Sequence, residues 1–70
     1  LDEAIAELRA VLRVTPGSVE AHNNLGIALG SQGKLDEAIE QFQQALRIQP
    51  GFADAERNLT TARQSRNRRR

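Results

Sequence analysis

The 70-residue sequence has no cysteine, methionine, tryptophan or tyrosine, and two phenylalanines are its whole aromatic complement of 3%. Without cysteine there are no disulfides and no thiolate metal sites. One histidine, His22, does not make a zinc site by itself. No apolar run approaches the roughly 18–20 residues that cross a bilayer, and a start carrying Asp2 and Glu3 is not a signal peptide. The chain is therefore expected to be soluble as given, with its compartment unknown. Motifs for catalysis are missing as well: there is no phosphate loop, nucleophile elbow or metal-ligand spacing. The serines Ser18, Ser31 and Ser65 have no base in an interpretable motif. The acid pairs Asp2-Glu3 and Asp36-Glu37 fall in helix first turns, where the dipole accounts for them. The reading is of a non-enzyme without metal or cofactor.

Length sets a further bound. Seventy residues make one domain at most, and a single core of that size supplies only about 3–5 kcal/mol unless something staples it. The net charge of +1 hides an asymmetry, because Arg66, Arg68, Arg69 and Arg70 supply four of ten basic side chains. Without them six basic residues face nine acidic ones, a balance of −3. The body is mildly acidic and the end is basic.

What the chain does contain is a repetition. Leu1 to Gly17, LDEAIAELRAVLRVTPG, returns 34 residues later as Leu35 to Gly51, LDEAIEQFQQALRIQPG, with nine of seventeen positions identical. The segment between, Val19 to Gly33, returns more faintly from Ala53 onward, with Ala21/Ala55, Asn24/Asn58, Leu25/Leu59 and Ala28/Ala62 in register. A fixed period in this range signals a repeat array.

Apolar positions 1, 4, 5, 8, 11, 12 and 14 have helical spacing, and 35, 38, 39, 42, 45, 46 and 48 repeat it. Pro16 and Pro50 stop these two helices, each followed by a glycine that permits the turn. Ser18 is the expected N-cap of a second helix over Val19 to about Gln32. That helix carries Asn23, Asn24, Gly26 and Gly30, all weak helix formers. Gly26 costs roughly 1 kcal/mol against Ala there, so it is expected to admit a close neighbour, with Ala38 and Ala45 facing it. Gly33 is the next turn. A fourth helix, Phe52 to about Gln64, has one narrow apolar face (Phe52, Ala55, Leu59, Ala62), as suits a terminal cap. Ser65 to Arg70 has nothing apolar and is expected to be disordered.

The unit of helix, turn, helix and proline resembles the tetratricopeptide repeat. Leu25, Gly26, Gly33, Ala38, Phe42, Ala45 and Pro50 fall at that family's signature spacing, and Leu29 holds its usual Tyr site. His22 stands at the family's Trp site, and Glu56, Thr60 and Arg63 occupy the Trp, Gly and Tyr sites of the last unit. The resemblance implies an all-α solenoid of antiparallel helices in B-A-B-A order: a half repeat over 1–17, a complete repeat over 18–51 and a half repeat or cap over 52–65, with 66–70 a basic tail. It implies that Leu25, Gly26, Leu29, Ala38, Phe42, Ala45 and Pro50 carry repeat packing, and that the A helices line a concave groove. Carried over by position, the groove shows Glu20, Asn23, Asn24, Ile27 and Ser31, then Asp54, Arg57, Asn58 and Thr61. Asn24 and Asn58 hold the place where some members grip a peptide's backbone or terminal carboxylate. The clamp for an acidic C-terminus looks absent, since it needs cations where this chain has Glu20, Asn23 and Asp54; Arg57 alone remains.

The expected function is thus a scaffold or adaptor that binds a protein or peptide. A different class of reading makes the arginine end a contact for nucleic acid or an anionic membrane, yet no aromatic stands near it to stack on bases, and four arginines give weak, salt-sensitive binding at best. A third reading is self-assembly to a homo-oligomer. As a B helix without its A partner, the first helix would leave Ala4, Leu8 and Val11 uncovered. The opening on Leu in mid-repeat also suggests a piece of a longer protein.

Overall fold

The computed structural model describes residues 2–68. Four helices follow in order: α1 (Asp2–Val14), α2 (Val19–Ser31), α3 (Leu35–Ile48) and α4 (Ala53–Arg68). Each pair of successive helices packs together, and α2 also touches α4. The Cα extents of 36 × 28 × 13 Å describe a slab two helices thick, with α2 and α4 adjacent in one layer and α1 and α3 in the other. Among the described residues there is no strand, and no helix is long and apolar enough to cross a membrane.

The 34-residue period is written into the backbone. The turn after α1 closes with Ser18 N donating to Thr15 O at 3.1 Å, and the turn after α3 with Phe52 N donating to Gln49 O at 3.0 Å. Pro16 and Pro50 lie inside these equivalent turns, and both are exposed. Pro50 therefore acts as a helix terminator and not as part of the packing expected of it. Ser18 caps α2 by accepting from Ala21 N at 3.1 Å. At the far end Gly33 has φ 79°, the one positive φ among the described residues. There Lys34 N donates to Leu29 O and Gly33 N to Gly30 O, both at 3.0 Å, which is the Schellman closure that glycine allows. Gly17 and Gly51 carry no such conformation, so their turns depend on proline.

The core lies between the layers. Leu25 and Leu29 of α2, Ala38, Ile39 and Phe42 of α3, and Leu59 and Ala62 of α4 form one buried cluster, and Ile5, Leu8, Leu12, Leu35 and Leu46 pack against it. Ala45 is also fully buried. Gly26 is where the layers come closest. A Cβ on it would lie 2.7 Å from Phe42 Cδ1 and 2.8 Å from Cζ, and nearer still to Cε1. The ring of Phe42 thus occupies the space of the missing side chain. Ala38 faces Gly30 instead, with the corresponding Cβ separation an ordinary 3.9 Å.

Two expectations need correction. The fourth helix does not stop near Gln64; it runs through Arg68, so Ser65 to Arg68 are helical and not disordered. A cross-link accounts for the extension: Arg66 donates to Asp36 at 3.2 Å, just as Gln32, 34 residues earlier, donates to Asp2 at 2.6 Å. The same contact recurs one repeat on, and it holds α4 against the start of α3. Arg69 and Arg70 lie outside the described residues. The second correction concerns α1. Ala4 and Val11 are exposed, but Leu8 is half-buried against the core and so is already covered in part.

Candidate groove between α2 and α4

Residues seven apart on a helix lie on nearly the same face. Glu20 and Ile27 therefore share one face of α2, and the repeat-equivalent Asp54 and Thr61 share one face of α4. Because α2 and α4 are neighbours, a furrow runs between them. Its lower part deepens into a cleft of about 200 Å³. One wall is Gly26, Ile27 and Gly30 of α2. The other is Asn58, Thr61, Ala62 and Ser65 of α4, and Leu35 and Phe42 of α3 contribute to the lining below. Phe42 reaches this surface because Gly26 and Gly30 put no side chain over it. Ile27 is 47% exposed, an aliphatic side chain standing open beside an apolar hollow.

The nine residues expected in the groove divide into three groups. Ile27, Asn58 and Thr61 border the cleft. Glu20, Asn24 and Ser31 are exposed along α2, and Asp54 and Arg57 along α4. Asn23 is different, being only 5% exposed. Its Oδ1 accepts from Asn58 Nδ2 at 3.0 Å, so the amides of Asn23 and Asn58 are spent joining the two A helices. That bond leaves Asn24 as the amide displayed to solvent.

The hydroxyls and charges are also partly committed. Ser31 donates to Ile27 O at 3.1 Å and Thr61 to Arg57 O at 3.0 Å, each bonding back along its own helix. Arg57 donates to and pairs with Asp54 one turn away. The one cation carried over to the groove is thereby balanced by a neighbouring carboxylate, while Glu20 makes no ion pair among the described residues.

His22 sits behind the groove in the position of the family's Trp. Its Nε2 donates to Pro16 O at 2.9 Å, and its Nδ1 lies 2.8 Å from the side-chain amide of Gln41. With Nε2–H given to Pro16, the neutral ring accepts at Nδ1, which Gln41 satisfies by presenting its NH2 group. The histidine ties the α1–α2 turn to α3 through hydrogen bonds where an indole would fill volume. Gly30, Leu35 and Ser65 border the cleft without having been expected to, since none of them belongs to the signature surface positions. Among the described residues no three His, Cys, Asp or Glu side chains are grouped to hold a metal.

Two family models match this chain. One, described as tetratricopeptide repeat, covers residues 19–52, and the other, described as TPR repeat, covers residues 1–33. Together they take in residues 1–52. The comparison with curated proteins returns no match.

Proposed function

Because the chain belongs to the tetratricopeptide repeat family, whose repeats are generally protein–protein interaction modules, we propose that it is a non-catalytic binding module that receives a peptide or protein partner in the furrow between α2 and α4. The observation that carries this reading is the open cleft at Ile27, where an exposed aliphatic side chain adjoins a hollow lined in part by Phe42 and Leu35. Water in such a hollow is released when an apolar group enters, which favours binding. In this reading 1–17 and 52–65 are half repeats around a complete repeat over 18–51. Residues 66–70 are a basic end whose first members prolong the last helix.

A selection of random peptides displayed against the chain tests the proposal. Enriched peptides should lose binding to Ile27→Asp and keep it to Glu40→Lys, a change on an exposed site of α3. Peptides that bind both variants alike, or no enrichment at all, would contradict it. A second reading, self-association, is favoured by Val11 and Val14 on α1, 45% and 85% exposed, and concentration-dependent light scattering tests it.

A further inference from the structure

The groove's own chemistry selects among peptide partners, a selection that rests on the α2–α4 furrow being the binding face. Three observations bear on the choice. The cleft is larger than the roughly 150 Å³ cavities that accept a benzene-sized solute, so at about 200 Å³ it has room for a leucine-sized side chain. The cation that a carboxylate would need is absent, because Arg57 is already paired with Asp54 and Asn58 with Asn23. Above the cleft, Glu20 on α2 is exposed and makes no ion pair among the described residues, and Asp54 on α4 repeats its position. The furrow is therefore apolar below and acidic above.

Spacing makes this specific. Glu20 lies seven residues up α2 from Ile27, a rise of about 10 Å at 1.5 Å per residue. An extended peptide advances about 3.3 Å per residue, so three residues span the same distance. We infer that the groove takes an internal extended segment with a leucine-like aliphatic side chain seated in the Ile27 cleft and a lysine or arginine three residues away against Glu20, and not a terminal carboxylate. The cleft supplies the anchor through apolar burial. Glu20 supplies direction and selectivity through a rim charge, which contributes modestly to affinity.

The test uses the whole chain and a blocked peptide, acetyl-Gly-Ser-Lys-Gly-Ser-Leu-Gly-Ser-Lys-Gly-amide, which offers a lysine three residues from leucine on either side. Amide chemical-shift titration reads affinity and location together. Replacing the peptide's leucine by alanine should weaken binding about tenfold, since part of three buried carbons is lost. Replacing both lysines by glutamate should weaken it a further two- to fivefold. Glu20→Lys should reverse that preference and favour the glutamate peptide, which loss of fold would not produce, and its unchanged helix content by circular dichroism is the accompanying check. Equal binding of all three peptides to α2 and α4 would overturn the inference while leaving the groove a peptide site. Tighter binding of a peptide with a free C-terminal carboxylate would overturn it likewise. An absence of shifts on α2 and α4 with every peptide would overturn the inference, and a further absence of enriched peptides in the display selection would remove the reading beneath it.

Discussion

Gly26 and Gly30, one helical turn apart on α2, should respond in opposite directions to the same substitution. Alanine in place of glycine within a helix gains up to about 1 kcal/mol from backbone propensity alone. At Gly30 the new methyl meets Ala38 Cβ at 3.9 Å, an ordinary contact, so the gain should be realised. At Gly26 the methyl would enter the ring of Phe42, which is 3% exposed and so has little room to yield. Overpacking of that kind costs about 1–3 kcal/mol, more than propensity returns. About 1 kcal/mol moves the thermal midpoint of a domain this size by roughly 4–8 °C. Gly30→Ala should therefore raise the midpoint by several degrees, and Gly26→Ala should lower it, with Gly26→Val lower still. Far-UV circular dichroism melts of both single variants decide the sign. A double-mutant cycle then isolates the cause: in a Phe42→Leu background the ring is gone, and Gly26→Ala should become neutral or stabilising, a coupling of about 1 kcal/mol or more. A midpoint that rises for Gly26→Ala in the native background would refute the packing argument outright.

Other substitutions test the remaining joints. Asn23→Ala or Asn58→Ala each strands one amide of the link between α2 and α4 and should cost about 1–3 kcal/mol, whereas the double change costs less than the sum; additive losses in denaturant unfolding would mean that the bond is not formed. Arg66→Ala removes an exposed pair with Asp36, so the expected loss is about 0.2–1 kcal/mol, detectable at low salt and vanishing at high salt. A loss that persists at high salt would assign Arg66 a packing role. His22→Ala gives up both ring hydrogen bonds and should destabilise by about 1–3 kcal/mol, as read by urea titration; an unchanged midpoint would show water replacing them freely. Light scattering at tens of micromolar addresses α1: any dimer should dissociate in Val11→Asp, while Leu8 is unsuitable for the test because it packs on the core. A dimer that survives Val11→Asp would place the contact elsewhere.

The helix boundaries were legible in the sequence because each is fixed by local chemistry: Pro16 and Pro50 in equivalent turns, Ser18 as a cap, and Gly33 where φ must be positive. Gly26 was legible for a related reason, as a weak helix former that only a close neighbour explains. The end of α4 was not, since apolar periodicity stops at Ala62 and the helix is carried on by a polar link from Arg66 to Asp36. That link had a signal nonetheless, because Arg66 is the repeat equivalent of Gln32, and Asp36 of Asp2. Asn23 was misplaced because repeat position alone counts it with Asn24, although consecutive helical residues point about 100° apart. One amide turns toward α4 and the other toward solvent. The cleft was the least visible feature, for its floor combines Phe42 and Leu35 of one helix with the gaps left by two glycines of another.

Whether the α2–α4 furrow is the binding face is answered by mapping amide shifts of the labelled chain with the tightest peptide from the display selection. The largest changes should fall at residues 20–31 and 54–65, with α1 and the outer face of α3 unmoved. Changes concentrated at Val11 and Val14 would contradict the assignment and move the partner to α1.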